Sequence, residues 1–93
     1  MQDELLKPEE LEVLLDEFPK WEHRDRSLNR EFQFQDFKEA FKFMIKVAEI
    51  AENLNHHPDW SNSWNKVSIS ISTHSAGGLT ALDQKFVEKL ELL

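Results

Sequence analysis

The 93-residue sequence contains no cysteine, and this absence excludes several kinds of chemistry. Disulfide scaffolds, zinc fingers, iron–sulfur clusters and thiol catalysis all depend on cysteine. Glycine and proline are scarce, at two and three residues, so few positions interrupt regular structure. No apolar run approaches the ~20 residues that a membrane-spanning helix needs. The sequence therefore predicts regular elements and no transmembrane segment.

Basic residues are also fewer than acidic residues. Eleven Lys and Arg residues stand against 18 Asp and Glu residues, which gives a net charge of −7 with His neutral. A field of that sign repels phosphate backbones and anionic membrane surfaces, so we expect neither direct nucleic-acid binding nor membrane binding. The acidic start MQDELLKPEE lacks the basic and apolar regions of a signal peptide, which predicts a cytoplasmic protein.

The aromatic and apolar content is typical of a folded domain. Seven Phe and three Trp residues lie in a sequence that is 40% hydrophobic and 31% charged, which argues against intrinsic disorder. A chain of this length has room for one domain, which we place over residues 1–93.

Residue patterning predicts the order helix, hairpin, long helix, strand, helix. The first helix begins at Pro8 in an N-terminal helical segment, residues 1–18, and a hairpin follows over residues 21–35. After the long helix, Val67, Ile69 and Ile71 alternate with Ser68, Ser70 and Ser72. We predict an α+β fold, a single small domain with an antiparallel four-stranded sheet and about three helices packed on one face. The serine side of the strand is a face that a ligand or a neighbouring chain could cover.

The long helix, from Asp36 to about Asn53, has an apolar arc of about half its circumference or more. One stripe contains Phe37, Ala40, Phe41, Met44, Ala48 and Ala51, and a second contains Phe43, Val47, Ile50 and Leu54. We expect one stripe to face the sheet and the other a partner subunit, with Phe43, Val47 and Ile50 at the interface. A homodimer or homotetramer formed through the 37–54 helix is the prediction.

Three of the four histidines lie in two loops at the ends of elements. His56 and His57 follow the long helix, and His74 follows the last strand. Imidazole has an unperturbed pKa of about 6.5 and exchanges protons near neutral pH. Spacing alone leaves three alternatives: surface histidines, a three-histidine metal site with an open water position, or acid–base catalysis.

Residues at fixed gaps surround these histidines. The run Glu52-Asn53-Leu54-Asn55-His56-His57-Pro58 is followed by Trp64, Thr73-His74 and Asp83. Five residues separate Pro58 from Trp64, nine separate Trp64 from His74, and eight separate His74 from Asp83. This pattern resembles the signature of the pterin-4a-carbinolamine dehydratase family, and its fixed gaps are far more specific than a histidine pair.

The resemblance implies a lyase that dehydrates 4a-hydroxytetrahydropterin to quinonoid dihydropterin. It would support tetrahydrobiopterin recycling after an aromatic amino acid hydroxylase has used its pterin. By resemblance His56, His57 and His74 form the catalytic set. His56 and His74 are the acid–base candidates, in an order left open, and His57 binds and orients the pterin. The chemistry needs no metal and no cofactor, since the pterin is the substrate and imidazoles can move both protons.

Further positions are expected to bind substrate or support the histidines: Glu52, Asn55, Pro58, Trp60, Trp64, Thr73 and Asp83. Glu52 either orients a histidine or is a solvated charge, and Asp83 either holds a histidine or caps the last helix. Trp60 and Trp64 either stack on the pterin ring or belong to the core. Asn55 stands where relatives often carry Asp.

The resemblance also implies a second class of function. Animal members of the family stabilise the dimer of a homeodomain transcription factor through helices, which makes a transcription factor a possible partner by family analogy. The apolar arc of the 37–54 helix could serve that role or simple self-association. The net charge of −7 favours a role mediated by protein contacts rather than by DNA.

Overall fold

The structure is a computed structural model that describes residues 4–93. Its elements are α1 (Pro8–Glu17), β1 (Glu22–Arg24), β2 (Ser27–Gln33), α2 (Phe37–Leu54), β3 (Asp59–Ser63), β4 (Lys66–Ile71) and α3 (Ala81–Glu91). A short 3₁₀ turn covers His74–Ala76. Residues 1–3 of the predicted N-terminal helical segment lie outside the described residues.

The four strands form one antiparallel sheet in the order β1-β2-β4-β3. The predicted α+β fold with an antiparallel four-stranded sheet is therefore confirmed. β3 lies in a segment to which sequence patterning assigned no element. As an edge strand it has only exposed or half-buried residues, so no apolar alternation marks it.

One core lies between the sheet and the helices. Val67, Ile69 and Ile71 of β4 are buried in it, together with residues of all three helices, whereas Ser68 on the opposite parity is exposed. The alternation of β4 therefore directs its apolar side toward the helices and its serines toward the open face. No helix within residues 4–93 is long and apolar enough to cross a membrane.

Of the three residues assigned to a subunit interface, Val47 was assigned wrongly, and the assignment of Phe43 and Ile50 stays a prediction. Val47 is fully buried inside the single chain, and Phe43 and Ile50 pack against the same core. The large apolar side chains that α2 exposes are Phe37, Phe41 and Ile45. The helical wheel distinguishes two stripes, but which one faces the sheet depends on how α2 docks against β4 and α3.

Arg30 lies on the core-facing side of β2 and is held by two groups. Its guanidinium pairs with the Glu91 carboxylate at the end of α3 and lies 4.0 Å from the centroid of the Phe32 ring. Trp21 Nε1 donates to the same carboxylate at 3.0 Å. These contacts join β2, the residue before β1 and α3 at the end of α3 that lies away from Thr80.

Candidate active site

Four segments meet at one edge of the sheet: the end of α2, the start of β3, the segment after β4 and the first turn of α3. The antiparallel register places Asp59 of β3 opposite Ser70, close to the end of β4. Thr73 follows β4, and its backbone N–H donates to the Gly78 carbonyl oxygen at 2.8 Å. That bond closes a small loop which begins with His74. All three loop histidines therefore lie at this edge.

Asn55 separates the two adjacent histidines from α2. It adopts the left-handed conformation (φ 51°, ψ 45°), which Asn tolerates better than most residues, and it ends the helix there. The His56 backbone N–H then donates to the Ala51 carbonyl oxygen at 3.0 Å. This turn leaves the His56 side chain buried and the His57 side chain exposed. Asn55 thus has a backbone role that does not require a charged side chain.

His56 is held by a buried carboxylate. His56 Nε2 lies 2.7 Å from Asp83 Oδ1, and the two side chains are 10% and 0% exposed. The other carboxylate oxygen of Asp83 accepts from Thr73 Oγ1 and from the Thr80 backbone N–H, each at 2.8 Å. Asp83 therefore does both things that the sequence offered as alternatives. One oxygen contacts a histidine, and the other completes the capping box of α3.

The two threonine hydroxyls extend this network. Thr73 Oγ1 and Thr80 Oγ1 are 2.8 Å apart, and Thr80 Oγ1 accepts from the Leu82 backbone N–H at 3.3 Å. Each hydroxyl has a single proton to donate, so the chain of donors runs from Leu82 through Thr80 and Thr73 to Asp83. Thr80 was predicted only as a helix cap, and its buried hydroxyl is a supporting group that sequence reasoning missed.

The contacts of Asp83 bear on the tautomer of His56. Asp83 Oδ2 accepts from Thr73 and Thr80, and with Oδ1 also assigned as an acceptor, His56 Nε2 is the donor in their contact. The other nitrogen, Nδ1, is then the one left for a substrate. A carboxylate behind an imidazole also stabilises the positive charge that forms when Nδ1 accepts a proton.

His57 and Glu52 form a second pair, on the surface. His57 Nε2 lies 2.6 Å from Glu52 Oε2, and the side chains are 54% and 77% exposed. Two alternatives were predicted for Glu52, that it orients a histidine or that it is a solvated charge. The structure places it in contact with His57. Pro58, half-buried, separates this pair from β3.

His74 lies opposite an acidic residue that sequence reasoning missed. His74 Nε2 and Asp59 Oδ2 are 3.8 Å apart, and both side chains are 83% exposed. Asp59 directly follows Pro58, but its proximity to His74 follows only from the pairing of β3 with β4. The local sequence carries no signal for this contact.

The two tryptophans lie at different distances from the histidines, and neither belongs to the core. Trp60 is next to Asp59 on β3 and is partly exposed. Trp64 is exposed in the turn after β3, at the far end of the strand. At about 3.3 Å per residue, Trp64 is more than ~13 Å along the chain from Asp59. Within one chain the structure brings only Trp60 to this edge.

Within residues 4–93, no group of three or more His, Cys, Asp or Glu side chains is arranged to hold a metal ion. The three-histidine metal site that spacing allowed is thus not assembled in this part of the chain. The expectation that the chemistry proceeds without metal or cofactor stays a prediction.

The chain is similar to known proteins along almost its whole length. The profile of the family described as pterin 4 alpha carbinolamine dehydratase matches residues 4–93. A protein of Prochlorococcus marinus strain MIT 9515, provisionally named pterin-4-alpha-carbinolamine dehydratase, is 50% identical over 90 residues, which are 97% of this chain and 94% of that protein. A protein of Synechococcus sp. strain WH7803 with the same provisional name is 45% identical over 89 residues, 96% of each chain.

A solved structure is also similar. The transcriptional coactivator/pterin dehydratase from Brucella melitensis has a TM-score of 0.90 and 37% sequence identity, over 96% of this chain and 97% of that one. Its fold is therefore shared along almost the whole length of both chains.

Proposed function

Because the chain belongs to the pterin 4 alpha carbinolamine dehydratase family, we propose that it is a lyase that dehydrates 4a-hydroxytetrahydropterin to quinonoid dihydropterin. The observation that carries this proposal is the buried His56–Asp83 pair beside two accessible histidines. One imidazole is held against a buried carboxylate, and the other two can contact a ligand from solvent. The relatives' names support a pterin as the substrate.

The reaction is an elimination across two neighbouring atoms of the pterin. His56 Nδ1 accepts the proton from N5, and the electron pair of that bond forms the C4a=N5 double bond. The C4a–O bond breaks, and His74 donates a proton to the departing hydroxyl, which leaves as water. Asp83 stabilises the His56 imidazolium during this step. The buried carboxylate behind His56 supports this order of base and acid.

His57 and Glu52 are assigned to binding. Their exposed side chains can hold the polar edge of the pterin ring without taking part in proton transfer. We assign Trp60, partly exposed beside Asp59, to contact with the ring face. The proposed role of this enzyme is tetrahydrobiopterin recycling in support of aromatic amino acid hydroxylation, such as that of phenylalanine, in the cytoplasm.

A stopped-flow assay of carbinolamine dehydration with purified protein tests the activity. Catalytic amounts of enzyme should accelerate dehydration well above the spontaneous rate measured in the same buffer. Exhaustive chelation should leave the accelerated rate unchanged, because the proposed chemistry uses only proton transfer. A rate equal to the spontaneous one at micromolar enzyme contradicts the proposed activity, and a rate restored only by added zinc contradicts the metal-free mechanism.

A homodimer or homotetramer formed through α2 is part of the proposal. Phe37, Phe41 and Ile45 share one exposed side of that helix, and the Phe37 and Phe41 ring centroids are 5.8 Å apart. Phe41→Glu should dissociate the assembly without unfolding the chain, whereas Val47→Glu should unfold it because Val47 is fully buried. Light scattering with circular dichroism separates the two results.

A second candidate function uses the same apolar side of α2. The similar Brucella melitensis structure is named as a transcriptional coactivator as well as a pterin dehydratase. A helix-mediated contact with a transcription factor is the corresponding proposal for this chain. A pull-down in which the wild type, but not Phe41→Glu, retains a transcription factor would support it.

A further inference from the structure

The hydroxyl of Thr80 makes a contact that capping of α3 does not require. A helix cap needs an acceptor for a backbone N–H, and Thr80 Oγ1 serves that need by accepting from the Leu82 backbone N–H at 3.3 Å. The hydroxyl also has one proton to donate. Because Thr80 is fully buried, that proton does not bond to water. Its partner is Thr73 Oγ1, at 2.8 Å.

The direction of the contact between the two threonines follows from Asp83. Thr73 Oγ1 donates its proton to Asp83 Oδ2 at 2.8 Å, so Thr80 is the donor to Thr73. Hydrogen bonds in a chain polarise one another, and a donor behind Thr73 strengthens the bond that Thr73 makes to the carboxylate. The Thr80 backbone N–H donates to the same carboxylate oxygen at 2.8 Å. Thr80 therefore acts on Asp83 directly and also through Thr73.

The two donors to Oδ2 restrict the orientation of the Asp83 carboxylate. They leave Oδ1 directed at His56 Nε2, 2.7 Å away. The terminal torsion of an aspartate side chain has a broad range, so a carboxylate with fewer fixed donors turns more freely about its Cβ–Cγ bond. The Thr73 hydroxyl limits that rotation, and with it the position of the oxygen that faces His56.

Thr73 also holds the turn that carries His74. Its backbone carbonyl oxygen accepts from the backbone N–H groups of Ala76 and Gly77, at 3.0 and 3.1 Å. The side chain of Thr73 thus contacts the carboxylate that holds His56, while its backbone holds the turn that begins with His74. The spacing between the two histidines therefore depends on where Thr73 lies.

Water does not replace these contacts when one of them is lost. Thr80 and Asp83 are both 0% exposed. Leu5 pairs antiparallel with Thr80, and the Leu6 backbone N–H donates to the Leu79 carbonyl oxygen at 2.8 Å, so a further segment of the chain runs beside the network. A buried polar group that loses its partner has no solvent to bond, and the loss is felt in full.

We propose that Thr80 is a positioning residue for the proton transfers. Through Thr73 its hydroxyl orients the Asp83 carboxylate against His56 and joins that pair to the turn that carries His74. Thr80 is buried and touches no ligand, so it acts on turnover rather than on substrate affinity. This inference rests on the proposed dehydratase function, in which His56 and His74 move the two protons.

Two substitutions at Thr80 test the role of the hydroxyl. Thr80→Val keeps the shape of the side chain and removes the hydroxyl. Its kcat should be roughly fivefold lower than that of the wild type, the effect of one ordinary hydrogen bond, and its KM should stay within about twofold. Thr80→Ser keeps the hydroxyl, and its kcat should stay within about twofold of wild type. Stopped-flow kinetics measure these values.

Asp36→Ala is the matched control for the loss of a helix cap. Asp36 Oδ1 accepts from the Glu39 backbone N–H at 2.9 Å at the start of α2, the opposite end of that helix from the histidines. Urea denaturation should show lower stability in both Asp36→Ala and Thr80→Val, whereas kcat should fall only in Thr80→Val. An equal fall of kcat in the two variants overturns the inference. A fall in Thr80→Ser as large as that in Thr80→Val also overturns it.

A double variant shows whether the two hydroxyls act in series. If Thr80 acts through the Thr73 hydroxyl, Thr73→Val combined with Thr80→Val should lose no more kcat than Thr73→Val alone. Losses that multiply overturn the inference. If Thr80→Val does not fold, Thr73→Val and Thr73→Ser carry the same comparison. A lower kcat in Thr73→Val that Thr73→Ser restores supports the inference, and wild-type kcat in Thr73→Val overturns it.

NMR of the His56 ring gives a readout that needs no turnover. The chemical shifts of the ring nitrogens should change in Thr80→Val and should match the wild type in Asp36→Ala, because only the first variant alters the contact with Asp83. Unchanged shifts and unchanged kcat in Thr80→Val overturn the positioning role and leave the dehydratase intact. A wild-type rate equal to the spontaneous one contradicts the dehydratase function itself.

Discussion

His56 and His57 are neighbours in the chain, yet they form two different kinds of histidine–carboxylate pair. The nitrogen–oxygen distances are almost equal, 2.7 Å to Asp83 and 2.6 Å to Glu52. The His56 side chain is 10% exposed and its partner is fully buried, whereas the His57 side chain is 54% exposed and its partner more so. Distance alone therefore does not distinguish the two pairs, and burial does.

The difference in burial sets what each contact contributes. An exposed ion pair is screened by water and stabilises a protein by about 0–1 kcal/mol. A buried carboxylate that loses a donor instead costs about 1–3 kcal/mol or more, because water does not replace the lost contact. Substitutions in the Asp83 network should thus change both the stability of the protein and its turnover. Substitutions in the surface pairs should mainly change ligand binding.

Removing the buried histidine should have the largest effect. His56→Ala is expected to lower turnover by roughly 10²–10³, the scale of one positioned acid or base. It should also lower the free energy of unfolding by about 1–3 kcal/mol, because Asp83 Oδ1 loses its donor inside the protein. Stopped-flow kinetics and urea denaturation measure the two effects. Wild-type values for both would show that the pair has no role.

His74→Ala should match His56→Ala in turnover and differ from it in stability. The expected loss of turnover is again roughly 10²–10³. Because the His74 side chain is 83% exposed, the free energy of unfolding should stay within ~0.5 kcal/mol of wild type. The double variant should lose far less than the product of the two single losses if the imidazoles act as one unit. Full activity in a folded His74→Ala protein would contradict this assignment.

Asp83→Asn should have an intermediate effect on turnover. The side chain keeps its shape but no longer stabilises a positive charge on His56, so turnover should fall by less than in His56→Ala. The free energy of unfolding should fall by about 1–3 kcal/mol, since an amide group cannot accept from all the donors that face the carboxylate. Thr73→Val is the matched control, because it removes one donor and leaves the carboxylate. Equal turnover in Asp83→Asn and wild type would show that the charge is not used.

The smallest effects are expected at the surface pair. His57→Ala should raise KM more than it lowers kcat, as the loss of a uniform binding contact does, and Glu52→Gln should change either value by a few-fold at most. Stability should be unchanged in both variants. His23, exposed on β1 and away from the motif, provides the reference, and His23→Ala should behave like wild type. A kcat effect at His57 as large as that at His56 would remove the distinction between the two pairs.

The sequence predicted the candidate site unevenly. Fixed spacing identified the three loop histidines with Glu52, Thr73 and Asp83. Asp59 and the hydroxyl of Thr80 were not found, because their contacts depend on the pairing of β3 with β4 and on the docking of α3. Trp64 fits the motif, yet the structure places it at the far end of β3 from Asp59.

The fold was predicted in the same uneven way. Alternation located β4, and helical periodicity with its capping residues located α2 and α3. β3 was not located, because an edge strand with exposed residues has no apolar pattern. The prediction that Val47 lies at a subunit interface was wrong for a related reason. The wide apolar arc of α2 does not show which of its sides packs against the rest of the same chain.

By itself the sequence determined the order of the main elements, the α+β class and the set of loop histidines. These depend on periodicity, capping and spacing, which act between residues close together in the chain. Only the tertiary structure decided which histidine is buried, because His56 and its carboxylate are 27 residues apart and meet through the docking of α3 against α2. It likewise decided which side of α2 is exposed, since that depends on contacts between distant segments.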